Sequence, residues 1–373
     1  MSLAMRIYFS GVVNGSYRAQ NILKTISDAG IAFTYNPMTY FSLEMKNKYL
    51  RKILKFFCFI FFVPFRLILI AYSTHVFVLP MNTNMMSIVD IFVGRILNKI
   101  IIADYYISQY DTIVKDRKLV SENSLRGRFA LFKDRFLLKA ADIVIFLNES
   151  EADYYQKVVG VNIRREKIRI IPLCVDYKRE MFISNQKDYE SFNVCWWGTY
   201  IPLHGLENLI RAFSHIGNDR IKLYLFGDSN EKAKPYVSLI KSLELTDRVF
   251  INNDFHFSNG KLAPILAGTC DLAVGNFGSS DKAKTVLVNK LVDALSFGIP
   301  CLTIKTSATT ELLPNNEGLI ITESNPESIA FKIEECFNKR STLNEIGMSG
   351  KKKYFDLFSP DIFRIKLLAI LQE

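Results

Sequence analysis

The sequence predicts an α/β protein built from two doubly wound, Rossmann-like domains, and three observations carry that prediction. Short apolar runs of strand length alternate with segments of helical period along nearly the whole chain, the pattern of βαβ units on parallel sheets. The first unit is Arg6–Val12, a loop holding Gly11 and Gly15, and a helix Arg18–Ala29 with Ile22, Leu23 and Ile26 on one face, the first βα unit of a doubly wound fold. The chain has 373 residues, comfortable for two cores, and the polar, aperiodic stretch from Tyr177 to Ser191 divides it near the middle. The expected boundaries are therefore a first domain over 1–178, a second over 191–355 and a terminal segment 356–373.

Taken in order, the first domain continues with strand His75–Pro80, helix Met86–Leu97 and strand Lys99–Asp104. A cationic helix Ser124–Ala141 and strand Asp142–Leu147 come next. A helix then opens at Asn148, with Ser150 as its N-cap and Asp153 three residues on, before strand Lys167–Pro172. The second domain reads as strand Phe192–Gly198, helix Leu206–Ile216, strand Ile221–Phe226, helix Lys234–Leu243 and strand Arg248–Asn252. Helix Gly260–Leu266, strand Leu272–Gly275, helix Asn289–Phe297 and strand Cys301–Ile304 follow, then helices Pro326–Asn338 and Thr342–Phe355. Proline suits the first helical position, where its missing N–H costs nothing. Ser359–Gln372 is a last helix that crosses back to the first domain.

Charge is distributed unevenly. The net charge is +10, yet residues 1–180 hold 26 Lys and Arg against 15 Asp and Glu while residues 181–373 hold 21 against 22, so the excess lies in the first half. No nucleic-acid-binding motif accompanies it, which leaves an anionic membrane surface or a polyanionic acceptor as the expected partner and nucleic acid excluded. Segment 46–72 is the most unusual stretch. Lys46, Lys48, Arg51, Lys52 and Lys55 precede a run of Phe, Ile, Leu and Val broken by Pro64 and Arg66. About 20 apolar residues are needed to span a bilayer, and a span here would separate the first βα unit from the rest of its sheet. A helix pair, partly core, with a basic and aromatic edge at the membrane interface is expected instead; a buried helix with a solvated basic flank is the alternative. Six scattered cysteines with no CxxC read as reduced, buried thiols, and MSLAMRIYFSGVV lacks the features of a signal peptide. The expected location is the cytoplasm, peripheral on the inner face of the plasma membrane.

The stretch from Asp281 to Glu311 concentrates the chemistry. A polar loop opens helix Asn289–Phe297, Gly298-Ile299-Pro300 stops it, strand Cys301–Ile304 follows, and a second polar loop ends at Glu311. A strand-end loop feeding a helix binds phosphate in open α/β sheets, because the first helical N–H groups are unpaired and the macrodipole favours an anion. Lys282 and Lys290 flank that helix start. In the first domain Asp104 ends a strand and opens DYYISQYDTIVKDRKL, a polar and aromatic loop at the ligand-binding edge of its sheet.

The pattern N-K-x-x-D-A-L-x-x-G-x-P, a strand and then E-L-L resembles the donor-site block of GT-B glycosyltransferases of the family 4 type. RIIPLCVD (169–176), WWGTYIPLHGLENLIRAF (196–213), LFGD (225–228) and DYYISQYDTIVKDRKL (104–119) match in the same order, over most of the chain. The resemblance implies a GT-B architecture, two Rossmann-like domains facing a cleft. It also implies a retaining, metal-independent enzyme that moves a sugar from a nucleotide sugar, such as a UDP- or GDP-sugar, to a lipid-linked or polysaccharide acceptor in cell-envelope glycan synthesis. No cofactor is implied. A nucleotide-sugar epimerase on the same fold and a non-catalytic partner subunit are the alternatives.

Carried over residue by residue, the resemblance names Gly198, Thr199, Tyr200, His204, Gly227, Asp228, Lys282, Asn289, Lys290 and Asp293 as donor-binding. Gly227 would let the nucleotide base and ribose approach, and Asp293 would accept from ribose hydroxyls. Gly15, Ser16, Tyr17 and Arg18 form a loop toward acceptor or donor phosphate, or simply a tight turn. Asp104, Asp111 and Lys290 are the catalytic candidates. The sequence departs from the family where an Arg and a Lys usually follow the second domain's first strand, since Thr199 and His204 stand there. Thr285 replaces the first of two glutamates, and the histidine after the third strand is missing. The stretch Phe255 to Phe257 offers further base contacts, whereas Trp196 and Trp197 read as core.

Overall fold

Strands whose residues are buried on both faces belong to parallel sheets covered by helices, and that is what the chain forms. The computed structural model describes residues 5–12, 16–35, 48–80, 85–176 and 190–373. It divides into two units, residues 1–172 with 364–373 and residues 173–363. Each is a wholly parallel six-stranded sheet with helices packed on it, the α/β class expected.

In the first unit the chain runs β1 (Arg6–Ser10), α1 (Tyr17–Asp28), β2 (Ala32–Tyr35), α2 (Lys48–Ala71), β3 (His75–Val78), α3 (Met85–Ile96), β4 (Ile100–Asp104), α4 (Leu125–Ala140), β5 (Ile143–Phe146), α5 (Glu149–Val159) and β6 (Ile168–Ile170). The spatial order is β2-β1-β3-β4-β5-β6. Tyr8, Val76, Ile101, Val144 and Phe146 are core residues of this unit.

The second unit runs β7 (Phe192–Gly198), α6 (Leu206–Ala212), β8 (Ile221–Gly227), α7 (Asn230–Ser242), β9 (Val249–Ile251), α8 (Leu262–Thr269), β10 (Leu272–Val274), α9 (Asn289–Phe297), β11 (Cys301–Thr303), α10 (Ser307–Leu312), β12 (Leu319–Ile321), α11 (Pro326–Asn338) and α12 (Arg340–Leu357). Its order is β12-β11-β10-β7-β8-β9. Every residue of β7 except its terminal Gly198 is buried, and Trp196 is among the largest fully buried side chains. The last helix, α13 (Pro360–Leu371), begins in the second unit and ends in the first.

Several elements differ from expectation. Segment 46–72 is not a helix pair: from Lys48 to Ala71 it is one 24-residue helix that passes through Pro64. Proline inside a helix costs about 3 kcal/mol. The turn beyond it is held by burial of Arg66 and Ile70 and by an ion pair of 2.5 Å between Arg66 and the buried Asp90 of α3. Asp90 also accepts from the Ser10 hydroxyl at 2.6 Å, so α2, α3 and the end of β1 share one buried polar node. Nor is α2 a fully buried helix, because Phe57, Phe61 and Phe65 are exposed. Among the described residues no helix is long and apolar enough to cross a membrane. The N-cap of α5 is Asn148, not Ser150; its side chain accepts from the Glu151 N–H at 2.8 Å. The five described cysteines are buried free thiols.

Candidate active site

In the second unit β7, β8 and β9 progress toward one edge of the sheet, and β10, β11 and β12 toward the other. The strand order therefore reverses between β7 and β10, and a crevice opens at the carboxyl ends of strands flanking such a reversal. Two loops leave these ends: 198–205 after β7 and 275–288 after β10, the latter running straight into α9. They lie backbone against backbone. The Phe277 N–H donates to the His204 carbonyl at 3.0 Å. Gly205, at φ +57°, would place a β-carbon 2.4 Å from the Phe277 carbonyl group, so no other residue fits there.

Helix α9 starts beside this crevice. Its N-cap, Val288, offers no side chain to the first N–H groups, and Asn289 and Lys290 follow as the first two helical residues. Lys290 is only 3% exposed. Its Nζ lies 4.6 Å from the centre of the Trp196 ring and makes no hydrogen bond to any described residue. Burial holds this amine well below the usual lysine range, against the pull of Cys301 and Asp293 in the other direction. The space over Gly198 is bounded by the same groups: Lys290 Nζ and His204 Nε2 lie 3.6 and 3.9 Å from where a β-carbon on Gly198 would stand. The Trp196 ring is stacked on Tyr200 and meets the His204 ring edge-on. A buried amine with no acceptor of its own, at a helix N-terminus, is an arrangement ready to take an anion.

One turn along α9, the buried Asp293 accepts from the Trp197 indole N–H at 2.8 Å, which fixes one carboxylate oxygen. Asp228 is committed as well. It accepts from the Tyr200 N–H at 3.0 Å and from Lys232 Nζ at 2.5 Å, and these bonds draw its pKa down against the effect of burial. The Tyr200 hydroxyl donates to Asn253 at 2.7 Å. A β-carbon on Gly227 would stand 2.1 Å from the Tyr200 ring, so the side of this residue where a side chain would project is filled by that ring. Lys282 is buried in the turn before α9, and Thr199 is half-buried beside Gly198. Phe255 and Phe257 stack on Phe226 and Phe297.

In the first unit the candidates have other partners. Arg18, expected to meet phosphate, is 2% exposed, and its Nε sits 2.8 Å from Asp104, expected as a catalytic carboxylate and itself 4% exposed. The guanidinium also donates to the Ile171 and Pro172 carbonyls at 3.1 and 3.0 Å. Burial pushes the Asp104 carboxyl upward while Arg18 pulls it down. Both groups are spent on the fold. Asp111, the third candidate, is fully buried at the start of a π-helical turn (Asp111–Asp116) and accepts from the Tyr154 hydroxyl at 2.8 Å. Ser16 caps α1 by accepting from the Ala19 N–H at 3.2 Å, and Tyr17 is partly exposed. Gly15 lies outside the described residues.

Trp196 and Trp197 are core residues, as read from the sequence, but they are also what shapes the site, one facing Lys290 and the other holding Asp293. Neither contact was visible in the sequence, because the partners are about a hundred positions away.

Two doubly wound parallel sheets, the second with a helix starting at its strand-order reversal, are the architecture of the GT-B fold. Residues 178–353, a little under half of the chain, match the family model for glycosyl transferases group 1. Among solved structures it is similar to sucrose-phosphate synthase from Thermosynechococcus elongatus, at TM-score 0.73 and 14% identity, covering 99% of this chain and 98% of that one. It is also similar to HepE of Anabaena in complex with UDP-glucose, at TM-score 0.65 and 14% identity with 99% of each chain covered. WaaG, a glycosyltransferase involved in lipopolysaccharide biosynthesis, matches at TM-score 0.65 and 12% identity, covering 97% of this chain and 99% of that one. No curated protein matches by sequence.

Proposed function

We propose that the chain transfers a sugar, with retention of configuration and without a metal ion, from a nucleotide sugar whose diphosphate lies against Lys290 and the start of α9. The observation that carries this reading is the buried Lys290 amine, which has no hydrogen-bond partner among the described residues and stands at the strand-order reversal. An anion bound there restores the amine's charge, and that charge together with the helix N-terminus stabilises the diphosphate as it leaves. His204, across Gly198, is not a permanent cation, so Lys290 takes the larger share. The departing phosphate serves as the base toward the acceptor hydroxyl, which removes the need for a side-chain base.

A UDP-sugar is the first donor to test, since HepE binds UDP-glucose. The acceptor is a lipid-linked or polysaccharide sugar of the cell envelope, reached at the cytoplasmic membrane surface, where the exposed aromatics of α2 hold the protein peripherally. The test is a turnover assay with a panel of UDP- and GDP-sugars. Release of nucleoside diphosphate is expected for one of them, even as slow hydrolysis without acceptor. Release of an epimerised sugar, or tight nucleotide binding with no turnover across the panel, would contradict it.

A further inference from the structure

Trp196 of β7 is an unusual choice for a core position. The residue is 1% exposed, and its indole N–H has no hydrogen-bond partner among the described residues. A buried tryptophan normally finds an acceptor for that N–H, and leaving it unmade costs stability that a phenylalanine in the same place would not lose. The next residue shows the ordinary case, with the Trp197 N–H on Asp293 at 2.8 Å. Packing alone therefore does not account for an indole at position 196.

What the indole offers is the face of its ring. Lys290 Nζ stands over it, 4.6 Å from the centre, inside the distance of about 6 Å at which a ring attracts a cation. Tryptophan does this more strongly than tyrosine or phenylalanine. The ring is itself held in place: Tyr200 stacks on it with centres 5.5 Å apart, Tyr236 of α7 stacks on Tyr200 at 5.2 Å, and the His204 ring meets it edge-on at 5.9 Å. Three other titratable groups face the amine. Asp293 on α9 is bonded to Trp197, the Cys301 thiol on β11 is pushed up by burial and stays neutral, and His204 Nε2 lies across Gly198. None of them is hydrogen-bonded to Nζ.

We infer that Trp196 is a positioning residue for the donor: its ring face seats the Lys290 ammonium that meets the diphosphate, so the indole adds to affinity through the lysine, without touching the nucleotide. This rests on the reading of Lys290 as the diphosphate group. The ring attracts the charged amine and not the neutral one. Where the pH leaves the empty protein's amine neutral, binding must charge it, and the ring's attraction then adds to the affinity for an anion. At lower pH the amine is charged before the ligand arrives, so the same attraction is present in both states and cancels.

The experiment is a measurement of UDP affinity against pH, from about pH 6 to about pH 9, on the full chain. The unchanged protein is compared with Trp196→Phe, Trp196→Leu, Lys290→Met, and Lys290→Met combined with Trp196→Phe, and the thermal midpoint of each reports whether the fold is kept. At the alkaline end UDP should bind about threefold more weakly to Trp196→Phe and about tenfold more weakly to Trp196→Leu, with both gaps closing as the pH is lowered. With methionine at position 290 the Trp196→Phe change should have no further effect. If Trp196→Leu does not fold, Trp196→Phe carries both comparisons. Affinity unchanged in the Trp196 variants, a loss equal at every pH, or a loss as large beside methionine as beside lysine would make the indole a packing group and overturn the inference, with Lys290 keeping its assignment. UDP affinity unchanged in Lys290→Met alone would instead remove the diphosphate reading, and the inference with it.

Discussion

Arg18 Nε stands 2.8 Å from Asp104 across 86 positions of sequence, and the pair is buried at the carboxyl end of the first sheet. Such a pair ties α1 to the end of β4, and through the Ile171 and Pro172 carbonyls to the end of the unit's last strand. Removing one partner of a buried pair leaves the other charge stranded, at a cost of about 3–5 kcal/mol. Asp104→Asn should thus lower the thermal midpoint by on the order of 10 °C. A protein that keeps its midpoint and loses only turnover would return Asp104 to the catalytic list.

The contact of Gly227 with Tyr200 yields a second expectation. Gly227→Ala would drive a methyl group into the Tyr200 ring, whose backbone N–H holds Asp228 and whose hydroxyl holds Asn253. Overpacking of this kind costs about 1–3 kcal/mol. Differential scanning fluorimetry should show a lower midpoint for Gly227→Ala and recovery in Gly227→Ala with Tyr200→Ala. A midpoint equal to that of the unchanged protein would mean that the ring moves away freely.

Trp197→Phe removes the only N–H that the indole gives to Asp293 while keeping most of the buried ring. A buried carboxylate deprived of a donor loses about 1–3 kcal/mol. UDP affinity should fall together with stability, because the carboxylate one turn from Lys290 is no longer fixed; a loss of stability with affinity unchanged would place Asp293 outside the donor site.

The state of Lys290 predicts a proton signature. Its amine titrates well below the ordinary lysine range near 10.4 in the empty protein. Between the lowered native value and the unfolded value, the unfolded chain carries a proton that the native one lacks, so this group makes stability rise with pH across that window. A bound diphosphate favours the charged form and draws the proton back. Calorimetric titration with UDP at pH 8, in two buffers of different ionisation enthalpy, should then show uptake of up to about one proton. Binding with no uptake would mean the amine is already charged in the empty site.

The sequence made the main strands and the loop into α9 legible because they rest on long apolar runs bounded by glycine and proline. Both β7 and the α9–β11 block of the second unit fall where expected. What escaped was short or long-range. The strands β2 and β12 are four and three residues long, too short for a period to stand out in the sequence. Helix α10 hides in a polar stretch, although Thr306 and Thr309 cap each other reciprocally at its start and could have announced it. The roles of Arg18 and Asp104 could not be read locally, since a cation in a glycine loop and an acid at a strand end look equally like ligand groups and like partners for each other. The same holds for Gly227, whose open side is filled by a ring from a neighbouring loop.

The most direct test of the account is the affinity of UDP for the unchanged protein and for Lys290→Met, with the thermal midpoint measured alongside. Replacing a buried amine that has no acceptor by an apolar chain of similar length should leave the empty protein as stable or more stable, while UDP binds about tenfold to a hundredfold more weakly. Equal UDP affinity in a folded Lys290→Met protein would contradict the assignment of the α9 N-terminus as the diphosphate site.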